Sequence, residues 1–227
     1  MLTIKSRCWI CMLPVWHSAV GICYRCEKKL TLDQPRCLRC ALPSESVVGD
    51  CPVCHHRSIS WQGTVAAGNY SPPLSKLLHQ FKFSSHTALA ATLSRLMLLN
   101  YLRYRRHYLW RKPDTIVAVP LHPKRYRQRG FNQSDLLARP LARWLACTYW
   151  PDALRCNQIR VAQHTLGRAQ RQSNQKHVYD ICADLRDRHV ALVDDVVTTG
   201  ATAREIVELL QLQRVASVQV WCLCRTL

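Results

Sequence analysis

Glycine is scarce in this chain. Only seven of the 227 residues are glycine, and none are spaced as GxxxxGK[ST] or GxGxxG, the patterns that wrap phosphates in P-loop NTPases and Rossmann dehydrogenases. Both classes are disfavoured. Long apolar runs are missing too. The most apolar stretch, 88–102, is interrupted by Thr92, Ser94, Arg95 and Asn100. It falls short of a bilayer span and reads as a buried helix. The first 14 residues hold a cysteine pair where a secretory leader needs an unbroken apolar segment. The expected location is therefore the cytoplasm, with no membrane insertion, where paired cysteines hold metal more often than they form disulfides. Acid is the third shortage. Fourteen Asp and Glu stand against 32 Lys and Arg, a formal net charge of +18. Two zinc ions bound to eight thiolates would bring this to about +14. Between residues 115 and 179 there are 11 Lys or Arg and only two acids, Asp135 and Asp152. A field of that sign draws polyanions, either nucleic acid or a small ligand with several phosphates.

Cysteine, by contrast, is plentiful and unevenly placed. Eight of 13 lie within the first 54 residues, as the pairs Cys8/Cys11, Cys23/Cys26, Cys37/Cys40 and Cys51/Cys54. Two cysteines three apart on a tight turn aim both sulfurs at one ion and supply half of a tetrahedral site. The spacing predicts two structural zincs, one held by pairs one and two and one by pairs three and four. An interleaved pairing stays open at this level. A redox dithiol needs one such pair, not four at even intervals. So small a module has little core, and the metal supplies much of its folding free energy. The expected organisation is a double zinc-ribbon module over residues 1–60 and an α/β domain over 61–227.

The second part alternates strand and helix patterns. Strands are expected over 64–70, 115–119, 154–159, 189–193 and 217–223, and helices over 73–82, 87–106, 133–146 and 203–213. Alternation of this kind argues for a mainly parallel sheet covered on both faces, with ligands bound at the carboxyl ends of its strands. One strand end is distinctive. Val190–Val193 is a buried run, Asp194 and Asp195 sit where it is expected to end, and Thr198, Thr199, Gly200, Ala201 and Thr202 lead into a helix. Small residues let backbone N–H groups converge on an anion at a helix start. Two adjacent carboxylates repel unless hydroxyl donors or a metal satisfy them. The vicinal hydroxyls of a ribose, with Mg²⁺ nearby, meet that need. Thr202 and Glu205 have the spacing of a capping box. A second stretch, 117–134, carries Lys124, Arg125, Arg127 and Arg129 within six positions, followed by Gly130. Arginines grip pyrophosphate in a bidentate manner.

At these residues a resemblance becomes specific. Residues 190–202 are similar to the ribose-phosphate signature of type I phosphoribosyltransferases, and 117–134 resembles the pyrophosphate loop of the ComF competence-protein family, in particular its GntX branch. Gln80–Phe83 resembles that family's short Phe-Lys motif, and Gln163, Leu166, Arg171 and Asn174 fall at its lid positions. The resemblance implies a type I phosphoribosyltransferase-like fold. It assigns Asp194 and Asp195 to the ribose hydroxyls, directly or through Mg²⁺, and Thr198, Thr199, Gly200, Ala201 and Thr202 to the 5′-phosphate. Lys124, Arg125, Arg127, Arg129 and Gly130 go to pyrophosphate, and Arg171 to a catalytic lid. It also implies phosphoribosyl pyrophosphate with Mg²⁺ as the ligand, and a role in DNA uptake or in the use of DNA as a nutrient. DNA or DNA-processing proteins are the partners this suggests. Two further readings compete with an enzyme. One is a module that binds a phosphoribosyl ligand without turnover. The other is a single-stranded-DNA adaptor, drawn from residues 101–112, where Tyr101, Tyr104, Tyr108 and Trp110 alternate with Arg103, Arg105, Arg106, Arg111 and Lys112. The basic end of an amphipathic helix has the same pattern.

Overall fold

Apolar, β-branched runs in the second part line up as a single parallel sheet. The computed structural model describes residues 6–15, 21–30, 35–45, 51–56, 59–83, 86–157 and 178–227. The chain begins with the short strands β1 (Ser6–Arg7) and β2 (Pro14–Val15), then α1 (Tyr24–Leu30) and α2 (Pro52–His56). It continues through β3 (Gly63–Asn69), α3 (Leu74–Phe83), α4 (Leu89–Tyr108), β4 (Thr115–Ala118), α5 (Pro123–Arg129), α6 (Gln133–Leu145) and β5 (Thr148–Tyr149). β6 (Leu154–Cys156), β7 (Tyr179–Ile181), β8 (His189–Val197), α7 (Ala201–Leu212) and β9 (Ser217–Arg225) complete it.

The central sheet has the order β3-β9-β8-β4-β5, and each of its pairings is parallel. A parallel sheet is covered on both faces, so its strands are apolar nearly throughout. Alternate residues divide between two cores. Ile116, Ala118, Ala191, Val193 and Trp221 join the side chains of α3, α4 and α6. Val117, Leu192 and Val220 face Ile206, Val207 and Leu210 of α7. From β4 the chain moves outward to β5, whereas from β8 it moves the other way to β9. The strand order therefore reverses between β4 and β8, where a crevice opens at the carboxyl ends.

Three expectations change at this level. Residues 154–159 were expected to add to the sheet, but β6 leaves it and pairs antiparallel with β7 as a separate ribbon. β8 does not stop before the two acids. It runs to Val197, with Asp194 in register with Cys222, so both carboxylates stand on rigid backbone. The basic stretch after β4 is a short helix, α5. The His122 side chain accepts from the Lys124 N–H at 3.2 Å, Pro123 sits in the first turn, and Gly130 closes the helix at φ 77°.

Rings of the aromatic-basic stretch 101–112 are drawn into the core. Tyr101 is fully buried, with its ring centroid 4.4 Å from that of Trp221. Tyr104 stacks on buried Trp110 at 5.6 Å. These rings contribute to the core, about 0.5–1.5 kcal/mol per pair beyond simple burial, and do not form a platform for bases. Arg103, Arg105, Arg106 and Arg111 are exposed, whereas Lys112 is half-buried and donates to the Leu145 carbonyl at 3.0 Å. No described helix is long and apolar enough to cross a membrane.

Residues before position 60 are fastened to the sheet. Ile22, Cys26 and Leu30 join the core beneath α3 and α4, and Arg95 Nη1 meets Glu27 Oε2 at 3.1 Å. The Thr64 N–H donates to the Leu38 carbonyl at 2.8 Å, which covers part of the open edge of β3.

Candidate phosphoribosyl and metal sites

The crevice between β4 and β8 holds a cavity of about 810 Å³, within the range of small-molecule sites. Its floor is Asp194 and Asp195. The Ser134 hydroxyl donates to Asp194 Oδ1 at 3.2 Å, and the Asp195 N–H donates to the same oxygen at 2.8 Å. Burial and the neighbouring Asp195 charge push Asp194 up to about 7. Lys82 forms an ion pair with Asp195. Asp195 thus has the lysine as its partner, while Asp194 accepts from Ser134 and the backbone. The remaining acceptor capacity suits sugar hydroxyls or a divalent cation.

Helix α5 builds the opposite wall. Lys124, Arg125 and Arg129 line the cavity, whereas Arg127 and Gly130 are not among the lining residues. Helical geometry explains the split, because Arg125 and Arg129 are four apart and share a face, whereas Arg127 is two positions from each and points the other way. Arg129 is braced by Gln133 Oε1 at 2.9 Å and lies 5.1 Å over the Phe83 ring. Thr202 reaches the cavity, but Thr198, Thr199, Gly200 and Ala201 are outside its lining. Thr198, Thr199 and Gly200 form the turn before α7, which starts at Ala201 and has Gly200 as its N-cap at φ 79° with no side-chain cap. The capping box does not form. Thr202 lies inside the helix, and the Glu205 carboxylate accepts instead from the Val178 N–H at 2.7 Å. Of the first-turn N–H groups of α7, that of Ala201 donates to Thr199 Oγ1 at 3.4 Å, and backbone N–H groups at a helix start are where an anion binds. The lid residues Gln163, Leu166, Arg171 and Asn174 lie outside the described residues.

Lys82 and Ser134 contact the acids directly, although sequence reasoning gave neither a role. Both lie in stretches noted for their resemblance, the Phe-Lys motif and the end of 117–134. That position was the available signal.

Two cysteine clusters form, one of Cys8, Cys11, Cys23 and Cys26 and one of Cys37, Cys40, Cys51 and Cys54. Sequential pairing is therefore what the fold brings together. All thirteen cysteines are free thiols. A tetrahedral ion with bonds near 2.3 Å sets its sulfurs about 3.8 Å apart. Observed separations are 3.7 Å for Cys11 and Cys23, 3.6 Å for Cys37 and Cys54, and 3.5 Å for Cys40 and Cys51. The thiols of the two clusters divide: burial first of all pushes Cys26 and Cys54 up, and hydrogen bonding with Cys37 does the same at Cys40, while Cys8 and Cys37 are lowered. At Cys8, burial opposes charge, but the N–H groups of Cys11, Cys23 and Ile10 outweigh it and bring the thiol to about 6. At Cys37, hydrogen bonding from Cys40 and then the knuckle N–H groups, working against burial, hold it near 4. The four-sulfur sets and their separations fit Zn²⁺.

The chain is 43% identical over its full length, and that of the relative, to DNA utilization protein YhgH of Escherichia coli K12. It is 33% identical to competence protein F of Haemophilus influenzae, over 96% of each chain. The chain belongs to the ComF family. A family model described as a phosphoribosyl transferase domain matches residues 136–227 of this ComF-family chain, and its fold is of type I. Among solved structures, purine phosphoribosyltransferase from Pyrococcus horikoshii matches at 17% identity and TM-score 0.37, covering 59% of this chain and 73% of that one.

Proposed function

We propose that this ComF-family protein binds phosphoribosyl pyrophosphate with Mg²⁺ in the crevice between β4 and β8, and works in the cytoplasm in DNA uptake or in the use of DNA as a nutrient. The observation that carries the reading is one cavity with paired carboxylates on its floor and three cations on the facing helix. Asp194 and Asp195 take the ribose hydroxyls, directly or through Mg²⁺. The turn from Thr198 to Thr202 takes the 5′-phosphate, and Lys124, Arg125 and Arg129 take the pyrophosphate. Mg²⁺ supplies charge neutralisation on the pyrophosphate when bound. Arg171 is assigned to the lid on resemblance alone. Residues 1–60 act as a structural zinc module and 61–227 as the ligand domain. The YhgH and competence-protein names of the relatives supply the link to DNA.

Phosphoribosyl transfer breaks the bond between the anomeric carbon and pyrophosphate, so the protein must stabilise a departing anion and exclude water. The test is Mg²⁺-dependent pyrophosphate release with bases, nucleosides or DNA fragments offered as acceptors. Release that disappears in Asp194→Asn supports an enzyme. Tight binding with no release for any acceptor assigns the chain to a binding module. The geometry also ranks two arginines. Arg129→Ala is expected to weaken pyrophosphate binding about tenfold, as loss of a charge-assisted contact does. Arg127→Ala, away from the cavity, should change it less than about twofold. Equal losses would remove α5 from the site.

A second reading rests on the other end of the sheet. Leu102, Leu109, Arg105, Arg106, Arg111 and Lys112 line a shallow basic cavity of about 810 Å³ there. Trp110 and Asp114 also line it, and Tyr104 and Tyr108 are half-buried, so single-stranded DNA would meet this surface chiefly through its phosphates. Its affinity should therefore fall steeply with salt, and Arg105, Arg106 and Arg111 changed together to Ala should flatten the slope by about three phosphate contacts. An unchanged slope would return the patch to a solvated helix end.

A further inference from the structure

The second cysteine cluster and the 5′-phosphate turn are separate in sequence, yet one buried arginine holds both. Arg225, the last residue of β9, is 5% exposed. Its Nε donates to the Cys40 carbonyl at 2.9 Å. Its Nη1 donates to the Val197 carbonyl at 2.9 Å and to the Thr198 carbonyl. One planar guanidinium thus joins a knuckle ligand residue to the first residue of the phosphate turn. Trp61 makes a parallel link. Its Nε1 donates to the Arg39 carbonyl at 2.9 Å, and a Cβ on Gly200 would lie only 3.6 Å from its ring. Arg36 ties the knuckle to the end of β3, donating to the Ala41 carbonyl at 2.6 Å and to Asn69 Oδ1 at 2.5 Å.

We infer that the second cysteine cluster is a positioning device for the 5′-phosphate turn, with Arg225 as the positioning residue and the metal as what keeps the knuckle rigid. The inference builds on the phosphoribosyl reading and adds regulation by metal occupancy to it. The physical reason is that the N-cap residue of α7 is a glycine in the left-handed region with no side chain to cap the helix, so the local hold on the turn is a single long bond, from the Ala201 N–H to Thr199 Oγ1 at 3.4 Å. A turn that must present several N–H groups to one anion loses affinity when it samples other shapes. Arg225 supplies the missing constraint by holding the carbonyl side of the turn and leaving its N–H side to the ligand. A lysine cannot replace it, because one ammonium does not span carbonyls on two elements as a planar fork does. The first cluster, packed beneath α3 and α4, makes no described hydrogen bond to this turn.

The experiment uses full-length zinc-loaded protein and two readouts. Amide hydrogen exchange over residues 198–204 is compared in wild type, Arg225→Lys, Trp61→Phe, Cys51→Ser and Cys11→Ser, with zinc content measured for each. Binding of ribose 5-phosphate and of Mg²⁺-pyrophosphate is then measured separately. Exchange in the turn is expected to quicken in Arg225→Lys, more weakly in Trp61→Phe, and in Cys51→Ser, but not in Cys11→Ser. Arg225→Lys, with both zincs retained, should bind ribose 5-phosphate about tenfold more weakly and pyrophosphate nearly as well as wild type. A purely structural role would weaken both ligands alike. Unchanged exchange in Arg225→Lys and Cys51→Ser would overturn the coupling, as would equal loss of the two ligands. If wild type binds neither ligand, the phosphoribosyl reading fails, and the exchange result alone decides whether the cluster orders the turn.

Discussion

Protein purified in zinc-replete medium is expected to carry two zinc ions per chain, and Cys37→Ser about one. The expectation follows from two separate four-sulfur clusters whose spacings match a tetrahedral ion. The sites should also differ in how readily they yield their metal. All four cysteines of the second cluster are buried, whereas Cys11 of the first is exposed and Cys23 half-exposed. A chelator should therefore draw zinc from the first site in a fast phase and from the second in a slow one. Loss of the second ion should coincide with loss of cooperative unfolding, since apparent zinc-binding energies of about 10–16 kcal/mol in small peptides exceed the usual stability of a domain. Removing the ion uncouples Leu38, Arg39 and Cys40 from the sheet, and those carbonyls anchor Thr64, Trp61 and Arg225. Elemental analysis alongside thermal unfolding checks both points. A metal-free chain with an unchanged transition would show that the clusters are not zinc sites.

The parts of this molecule legible in sequence were those written in consecutive residues. The four cysteine pairs carry their own geometry, because a CxxC turn sets two sulfurs whatever surrounds it. Val190–Val193 followed by two acids and a Thr/Gly turn is similarly local, and the structure places it at the strand-order reversal. Contacts between distant segments were not legible. Nothing in the Phe-Lys stretch says that Lys82 will meet Asp195, and nothing at the end of β9 says that Arg225 will hold Thr198. Two misreadings have definite causes. The stretch 117–134 was likened to a pyrophosphate loop, yet proline in the first turn and glycine after the last are also how a short helix begins and ends, and arginine and lysine are good helix formers. Glu205 has capping-box spacing from Thr202, but the Val178 N–H, brought in by β7, takes its carboxylate. Local propensity gave way to a tertiary partner.

Replacing Asp194 and Asp195 together with Asn is expected to lower Mg²⁺-dependent affinity for phosphoribosyl pyrophosphate at least tenfold, since each lost charged hydrogen bond costs about 1.5–3 kcal/mol. Stability of the ligand-free protein should separate the two positions. Asp194 has a folded value of about 7 against an ordinary 3.8, raised by burial and by Asp195. A carboxyl raised on folding holds its proton more tightly in the folded chain, so it costs stability as pH rises through that window, with the full cost present above about pH 7. Asp194→Asn removes the repulsion and should raise the melting temperature at pH 8 by about 2–4 °C, the shift expected from roughly 1 kcal/mol in a chain of this size. The difference should shrink towards pH 4, where the wild-type group is protonated. Asp195→Asn should act the other way, because it leaves the Lys82 ammonium without its partner in a partly buried crevice. A site strained for its ligand therefore gives a distinct pair of results at position 194, weaker binding with a more stable fold. Calorimetric titration with Mg²⁺ and phosphoribosyl pyrophosphate, beside thermal melts from pH 4 to 8, measures both. If Asp194→Asn melts lower than wild type at pH 8, the carboxylate is stabilising the fold, and the account of an acceptor pair held ready for ribose and Mg²⁺ is wrong.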